Sequence, residues 1–536
     1  MKKKKIALIV TSLISLSLSS CSIFDDFFDL SAMSNSSYVP TNIPEAGTLE
    51  ANKATYSYKH FIEHNVYPIS ATPCSGNPKL LIIPVWFKDS GTFINADKKD
   101  VVRSDIETAY FGTNEETGWR SVKSFYAEES FGALNLTGTV SEWYEVNASY
   151  STYARDDDTV PKTISLVKSA TNWYFEKHDD AKTNYDANRD GYLDGVMLIY
   201  AAPDYSASKI DSYQNLWAYC FWTQEYQNQD KANPAVNAFF WASYDFMYGE
   251  NVARNRTGTS TYASGDTSHC KLDAHTYIHE MGHMLGLEDY YDYSSKAYDP
   301  AGAFSMQDFN VGGHDAFSIY ALGWGKAYVP ADSTTIDLKP MATSGEMILL
   351  SPSFNQYNSP FDEYLLLEYY TPTGLNKFDT DHQYCGYYPT GTKTSGIRLW
   401  HVDARLVYSA TGTFDSKRMT TNPNVTNGGV ALAMKNTYYD GKNDSSGYLS
   451  VLGSGYYNFN LLQMIRNDKD ATYYPSKDKD ALSERTLFKP GETFTMENYG
   501  KQFVYRGKLN SNKDLGFSFF VNDCNSERAS ITINKL

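Results

Sequence analysis

The order of apolar and polar positions divides the chain into two kinds of stretch. In the first, strand-like runs alternate with helical spacing. Leu80 to Phe87 is a continuous apolar run closed by Lys88 and Asp89, which predicts a buried strand. Pro84 inside it predicts a bulge or an edge position, because proline cannot donate to a sheet. Ser104 to Phe111 and Thr159 to His178 predict helices, and Ser121 to Tyr144 a helix, a turn at Gly132 and then strands. Val196 to Ala201 and the aromatic-dense Trp217 to Tyr248 predict further strands. Asp315 to Gly325 predicts an amphipathic helix ending at Gly323, with Trp324 packed beneath it. Beyond Val329, strand-like runs starting at Met347, Glu363, Gly396, Val430, Leu515 and Ser530 alternate with Gly, Asn, Ser and Pro turns. The pattern predicts an α+β chain: a mixed-sheet half with helices over 76–330, then a β-rich sandwich over 331–536.

The first 75 residues read differently. Lys2 to Lys5 form a charged leader and Ile6 to Leu18 an apolar stretch too short to span a bilayer comfortably. Leu18-Ser19-Ser20-Cys21 has the form of a bacterial lipobox, so 1–21 is expected to be a lipoprotein signal with Cys21 lipidated. Residues 22–75 then form a tether and short N-terminal segment, and the chain is anchored at the cell surface through Cys21 alone. The net charge is −16, and it grows more negative once a four-lysine leader is removed, which argues against nucleic acid as a partner. Five further cysteines, Cys74, Cys220, Cys270, Cys385 and Cys524, show no metal-knuckle spacing, and their odd number leaves at least one thiol free. Cys74 is a candidate zinc ligand in a latent form, set against a purely structural role.

The chemistry is concentrated in Asp273 to Asp292. His279, Glu280 and His283 form H-E-x-x-H, which on a helix puts both imidazoles on one face and the carboxylate beside a water on the same ion. Asp273 is a candidate N-cap. Gly286 stands where a helix ends with a left-handed residue, so the chain can turn back and bring Asp289 in as third ligand. Glu288 and Asp292 are alternatives for that place. Met306 is a candidate for a tight methionine turn below the metal. An oxyanion beside the metal needs a donor, and His314, Tyr290, Tyr291 and Tyr293 are candidates.

Two further sets carry oxygen and nitrogen ligands. Asp186, Asn188, Asp190, Tyr192 (through its carbonyl) and Asp194 fall at positions 1, 3, 5, 7 and 9 of a calcium-type loop with glycine at position 6. Met197 replaces the closing glutamate, so a calcium here needs a ligand from elsewhere; a self-capped turn is the other reading. His401 and Asp403 lie two apart on one strand and point to one face, as a second metal site or a hydrogen-bonded pair.

The stretches LLIIPVWFKD, SFYAEESFGALNLTGTV, DANRDGYLDGVMLIY, HEMGHMLGLED and SMQDFN…AFSIYALGWGK resemble the immune inhibitor A-type family of secreted bacterial zinc metallopeptidases, strongly over about 79–330 and more weakly to about 500. The resemblance implies a metzincin-like fold, zinc on His279, His283 and Asp289, Glu280 as catalytic base, Met306 in the methionine turn and structural calcium. It implies a monomeric endopeptidase acting on proteins or peptides outside the cell. The alternatives are a surface protein, glycan- or glycoprotein-binding, on a retired peptidase scaffold, and zinc-dependent cleavage of a non-peptide bond.

Overall fold

The computed structural model describes residues 72–154, 159–209, 215–223, 230–292, 299–352, 361–386, 388–409, 419–420, 430–436, 459–473 and 484–536. The predicted signal and Cys21 lie outside them, as does Tyr293.

The first sheet holds β1 Lys79–Phe87, β2 Thr137–Val140, β3 Tyr144–Val146, β4 Val196–Tyr200, β5 Tyr219–Trp222 and β6 Ala238–Ser243. Its order is β2-β1-β4-β6-β5, with β3 also beside β1. Every pair is parallel except β5 with β6. Helices α1 Lys99–Phe111, α2 Val122–Glu129, α3 Thr159–Lys177 and α4 His275–Met284 accompany it, and α4 rests on β5, β6 and α2.

Pro84 is neither at an edge nor in a bulge. It sits mid-strand in the central β1, opposite Ile199 of β4. The Leu81 N–H and the Val85 carbonyl bond towards β4, whereas the Ile82 carbonyl accepts from Ser141 on the other side. Pro84, even-numbered, therefore turns its missing N–H to that second side. There β2 ends at Val140 and β3 begins only at Tyr144, so no ladder bond is lost.

The second half opens with α5 Ala316–Ala321. Asp315 caps it through the Ser318 N–H at 2.9 Å, and Gly323 (φ +77) closes it. There follow β7 Lys326–Tyr328, β8 Thr334–Leu338, β9 Glu346–Leu350, β10 Glu363–Tyr370, β11 Gly396–Asp403, β12 Leu406–Ser409, β13 Met419–Thr420, β14 Val430–Leu432, β15 Leu462–Ile465, β16 Leu487–Phe488, β17 Thr493–Phe494, β18 Phe517–Cys524 and β19 Ala529–Lys535. They build a sheet β15-β11-β10-β9-β7 with β16 beside β11, a four-stranded sheet β17-β18-β19-β8, and a small sheet β13-β12-β14.

Alternation along the strands gives the larger sheet two apolar faces. Ile348, Leu365, Leu367 and Leu399 meet Ile336, Phe519 and Ile531 of the four-stranded sheet, which makes a sandwich. Leu349, Leu366, Trp400 and Val402 join the core of the first half. The expected boundary at 330 is thus no gap: one apolar core crosses it, and β7, placed before it, already pairs with β9. Nor is 75 a boundary, since the Thr72 N–H donates to Met284 O at 2.8 Å and Trp324 Nε1 to Cys74 O at 2.7 Å.

His401 and Asp403 are a structural pair of a different kind from the one expected. His401 Nε2 lies 2.9 Å from Glu363 Oε1, while Asp403 receives Arg405 Nε at 2.7 Å and Asn510 Nδ2 at 2.9 Å. No helix among the described residues is long and apolar enough to cross a membrane.

Candidate metal centre

Helix α4, which carries His279, Glu280 and His283, is anchored at both ends. Ala274 occupies the N-cap position, and Asp273, one residue earlier, accepts the His275 N–H at 2.8 Å. Tyr277 donates to Ser243 O of β6 at 2.7 Å, and Tyr126 of α2 donates to Ile278 O at 2.6 Å. At the other end Gly286 is left-handed (φ +98). Gly286 N–H donates to His283 O at 2.9 Å and Leu287 N–H to Gly282 O at 3.0 Å, the paired bonds of a Schellman ending. That reversal carries the chain back along the helix.

Asp289 consequently meets the two histidines. Its Oδ1 lies 3.0 Å from His279 Nε2 and 3.2 Å from His283 Nε2, and all three side chains are buried. Among the described residues this is the one group of three His, Cys, Asp or Glu side chains whose ligand atoms fall within 4.8 Å of one another. Neither alternative third ligand joins it: Glu288 pairs with Lys435 at 3.9 Å, and Asp292 is buried elsewhere. Cys74 is not in the group either.

Both ring tautomers suit a metal. His279 Nδ1 lies 2.8 Å from Met306 O and His283 Nδ1 2.8 Å from Leu287 O. Carbonyls only accept, so each Nδ1 carries a hydrogen, and the Nε2 atoms facing Asp289 are the ones left to bind a metal. Met306 is fully buried in a turn closed by the Asp308 N–H on Ser305 O at 2.9 Å, and its backbone carbonyl is what orients His279. Glu280, 1% exposed, follows His279 directly; burial, and behind it the charge of Glu280, raises the pKa of Tyr110, Tyr126 and Cys220. His275, one turn earlier, is held neutral: burial and then His279 push it down to about 3, and its Nε2 faces Asn310 O at 3.1 Å.

Without metal, burial disfavours the charged form of His283, but the carboxylates of Asp289 and Glu280 outweigh it and raise the imidazole to about 10. A raised histidine stabilises the metal-free fold fully below its ordinary value near 6.5 and loses that contribution as pH rises through about 10. A metal must displace the same proton. Zinc affinity is therefore expected to rise about tenfold per pH unit from pH 6 to 8. Competition against a chelator of known affinity checks it, and a flat profile would contradict the protonated-imidazole picture.

The oxyanion candidates lie apart from the group. His314 Nε2 faces Gln307 Oε1 at 3.3 Å and its Nδ1 faces Glu129 at 3.5 Å, so the ring stands behind His283 with Gln307 between them. Tyr290 shares a bond with Ser318 Oγ at 2.9 Å, and Tyr291 packs with Val311, Phe378, Tyr384 and Tyr388. Sequence reasoning did not single out Gln307, which reaches His283 Nδ1 at 3.4 Å. The signal for it was Gly282: a Cβ there would stand 2.2 Å from Gln307 Oε1.

The Asp186–Asp194 loop closes on itself. Asp186 accepts the N–H groups of Asp190 and Gly191 at 3.0 Å each, Asp190 that of Tyr192 at 2.9 Å, and Asp194 those of Ala187 and Lys79. Gly191 (φ +94) supplies the left-handed turn expected of position 6. Burial raises Asp190 to about 6 and Asp194 to about 7. The loop's carboxylates do not converge within the distance the His-His-Asp group meets.

Compared with models of protein families and with curated proteins, the chain matches none.

Proposed function

We propose that the chain is a zinc-dependent endopeptidase acting on proteins outside the cell, exported and tethered at Cys21. The observation that supports it most is the buried His279–His283–Asp289 group with both Nδ1 atoms committed to carbonyls and Glu280 beside it. Two imidazoles and one carboxylate are a donor set that suits zinc and leaves a fourth position open. When bound there, zinc supplies Lewis acidity towards a carbonyl oxygen and lowers the pKa of water. Glu280 takes the proton from the attacking water and delivers it to the leaving amine nitrogen. His279, His283 and Asp289 would hold the ion, with the Met306 and Leu287 carbonyls fixing the two rings from behind. The test is cleavage of a denatured protein mixture by residues 22–536, reading new termini by mass spectrometry, with Glu280→Gln alongside.

Calcium at the Asp186–Asp194 loop belongs to the same reading. A cation facing Asp186, Asp190 and Asp194 offsets the burial that now raises two of them. At calcium a hundredfold above its dissociation constant, linkage adds about 2.7 kcal/mol. A calcium-selective chelator is expected to lower Tm by a few degrees, and Asp190→Ala to abolish that sensitivity. An unchanged Tm would leave the loop as a self-capped turn.

A further inference from the structure

Behind His283 lies a line of buried polar side chains that the proposed reaction does not use. Gln307 is fully buried, and His314 and Glu129 nearly so. One end of the Gln307 carboxamide stands 3.4 Å from His283 Nδ1 and the other 3.3 Å from His314 Nε2. His314 Nδ1 faces Glu129 Oε1 at 3.5 Å, and the same oxygen accepts the His314 backbone N–H at 2.7 Å. Gly282 makes the approach possible, since any Cβ there would collide with the carboxamide. A glycine inside a helix costs about 1 kcal/mol relative to alanine, so it is an expensive way to leave space unless the space is needed.

The direction of this line follows from the donors. His283 Nδ1 carries a hydrogen, because its nearest partner is the Leu287 carbonyl. An N–H facing an amide nitrogen is two donors opposed. A half-turn of the carboxamide, which exchanges its oxygen and nitrogen in place, removes the conflict. Gln307 Oε1 then becomes a second, longer acceptor beside the Leu287 carbonyl for the one His283 Nδ1 hydrogen, and Gln307 Nε2 donates to His314 Nε2. That nitrogen must be bare, so His314 carries its hydrogen on Nδ1, aimed at Glu129. The last step, from His314 Nδ1 to Glu129 Oε1 at 3.5 Å, is a charge contact rather than a closed hydrogen bond.

We propose that Gln307, His314 and Glu129 form a one-way polar relay that, beside the Leu287 carbonyl, positions His283 for the metal, with the His314 hydrogen carried on Nδ1. This rests on the reading of His279, His283 and Asp289 as metal ligands. All three are positioning residues. The relay acts with the Leu287 carbonyl in fixing the ring angle of His283, and it passes the negative charge of Glu129 towards it, which raises the basicity of the ligand.

The test uses the full chain, zinc-loaded and labelled with ¹⁵N-histidine. Long-range ¹H–¹⁵N spectra, with His314→Gln to assign the signal, are expected to show His314 as the Nδ1–H tautomer. Zinc affinity is read in parallel by chelator competition. Gln307→Leu, similar in size and unable to accept, is expected to weaken zinc by about 10–100-fold. Gln307→Glu keeps the acceptor for His283, so it is expected to hold affinity near wild type while moving the His314 hydrogen to Nε2. If Gln307→Leu does not fold, the wild-type tautomer and the Gln307→Glu switch still decide. Wild type that binds no zinc overturns the metal reading and the relay together. Normal zinc binding with His314 as the Nε2–H tautomer or imidazolium, or unchanged affinity in a folded Gln307→Leu, overturns the relay alone.

Discussion

Glu280→Gln is expected to slow the appearance of new termini by about 10²–10⁴-fold, the range general acid–base groups contribute, with one zinc per chain still bound. Gln keeps the size of the side chain and removes only its capacity to hold a proton. The three proposed ligands are other residues, and the second nitrogens of the two histidines are held by the Met306 and Leu287 carbonyls, so the loss is expected in turnover rather than in metal content. Without metal the change also removes a carboxylate that favours the charged His283, so Tm is to be compared with zinc bound. Zinc content by elemental analysis, Tm and terminus counts together make the check. A variant that binds zinc and cuts at the wild-type rate would remove Glu280 from the mechanism. A wild type that binds zinc and cuts nothing would favour the binding-protein alternative.

What the sequence made legible is what depends on local geometry. His279 and His283 share a face because a helix repeats every 3.6 residues, and Asp289 returns to them because Gly286 permits a left-handed turn. Both inferences need about ten residues of chain and no tertiary knowledge. Gln307, His314 and Glu129 escape such reading, since their contact requires α2 and the turns before α5 to meet behind α4. Gly282 was the local trace of it, unread because a glycine's reason lies in what approaches from outside the helix. The Pro84 expectation failed for a related cause. Proline is excluded from a central strand only where its N–H side is paired, and pairing on one side of β1 happens to break at that residue. The shared core across 330 was half visible: EYLLLEYY and GIRLWHV are apolar on both faces, the mark of a sheet covered twice.

That double cover carries the second large effect. Residues 76–330 and 331–536 produced separately are each expected to fail to fold, and the first to bind no stoichiometric zinc. Separation would expose Met347, Leu349, Tyr364, Leu366, Tyr370, Trp400, Val402 and Met464, all within the common core. At about 1.5–3 kcal/mol for each such side chain, the loss is on the order of 10–20 kcal/mol. That equals or exceeds the roughly 5–15 kcal/mol by which folded proteins are stable. The polar ties run to the segments that flank the His279–His283–Asp289 group. Asn436 Nδ2 donates to Tyr290 O and the Met464 N–H to Pro300 O, each at 2.8 Å, and Asp379 receives the Val311 and Gly312 N–H groups. Arg398 lies 3.5 Å over the ring of Phe304, just before the Met306 turn, and pairs with Glu368 at 2.7 Å, both fully buried. In the intact chain, Arg398→Ala strands the Glu368 carboxylate and should cost about 3–5 kcal/mol. Circular dichroism, denaturant titration and zinc stoichiometry decide the matter. A 76–330 fragment that unfolds cooperatively and binds one zinc would show that the sandwich is an appendage. Failure of that fragment, together with a destabilised Arg398→Ala, would show that the sheet β15-β11-β10-β9-β7 is the floor on which the metal centre is built.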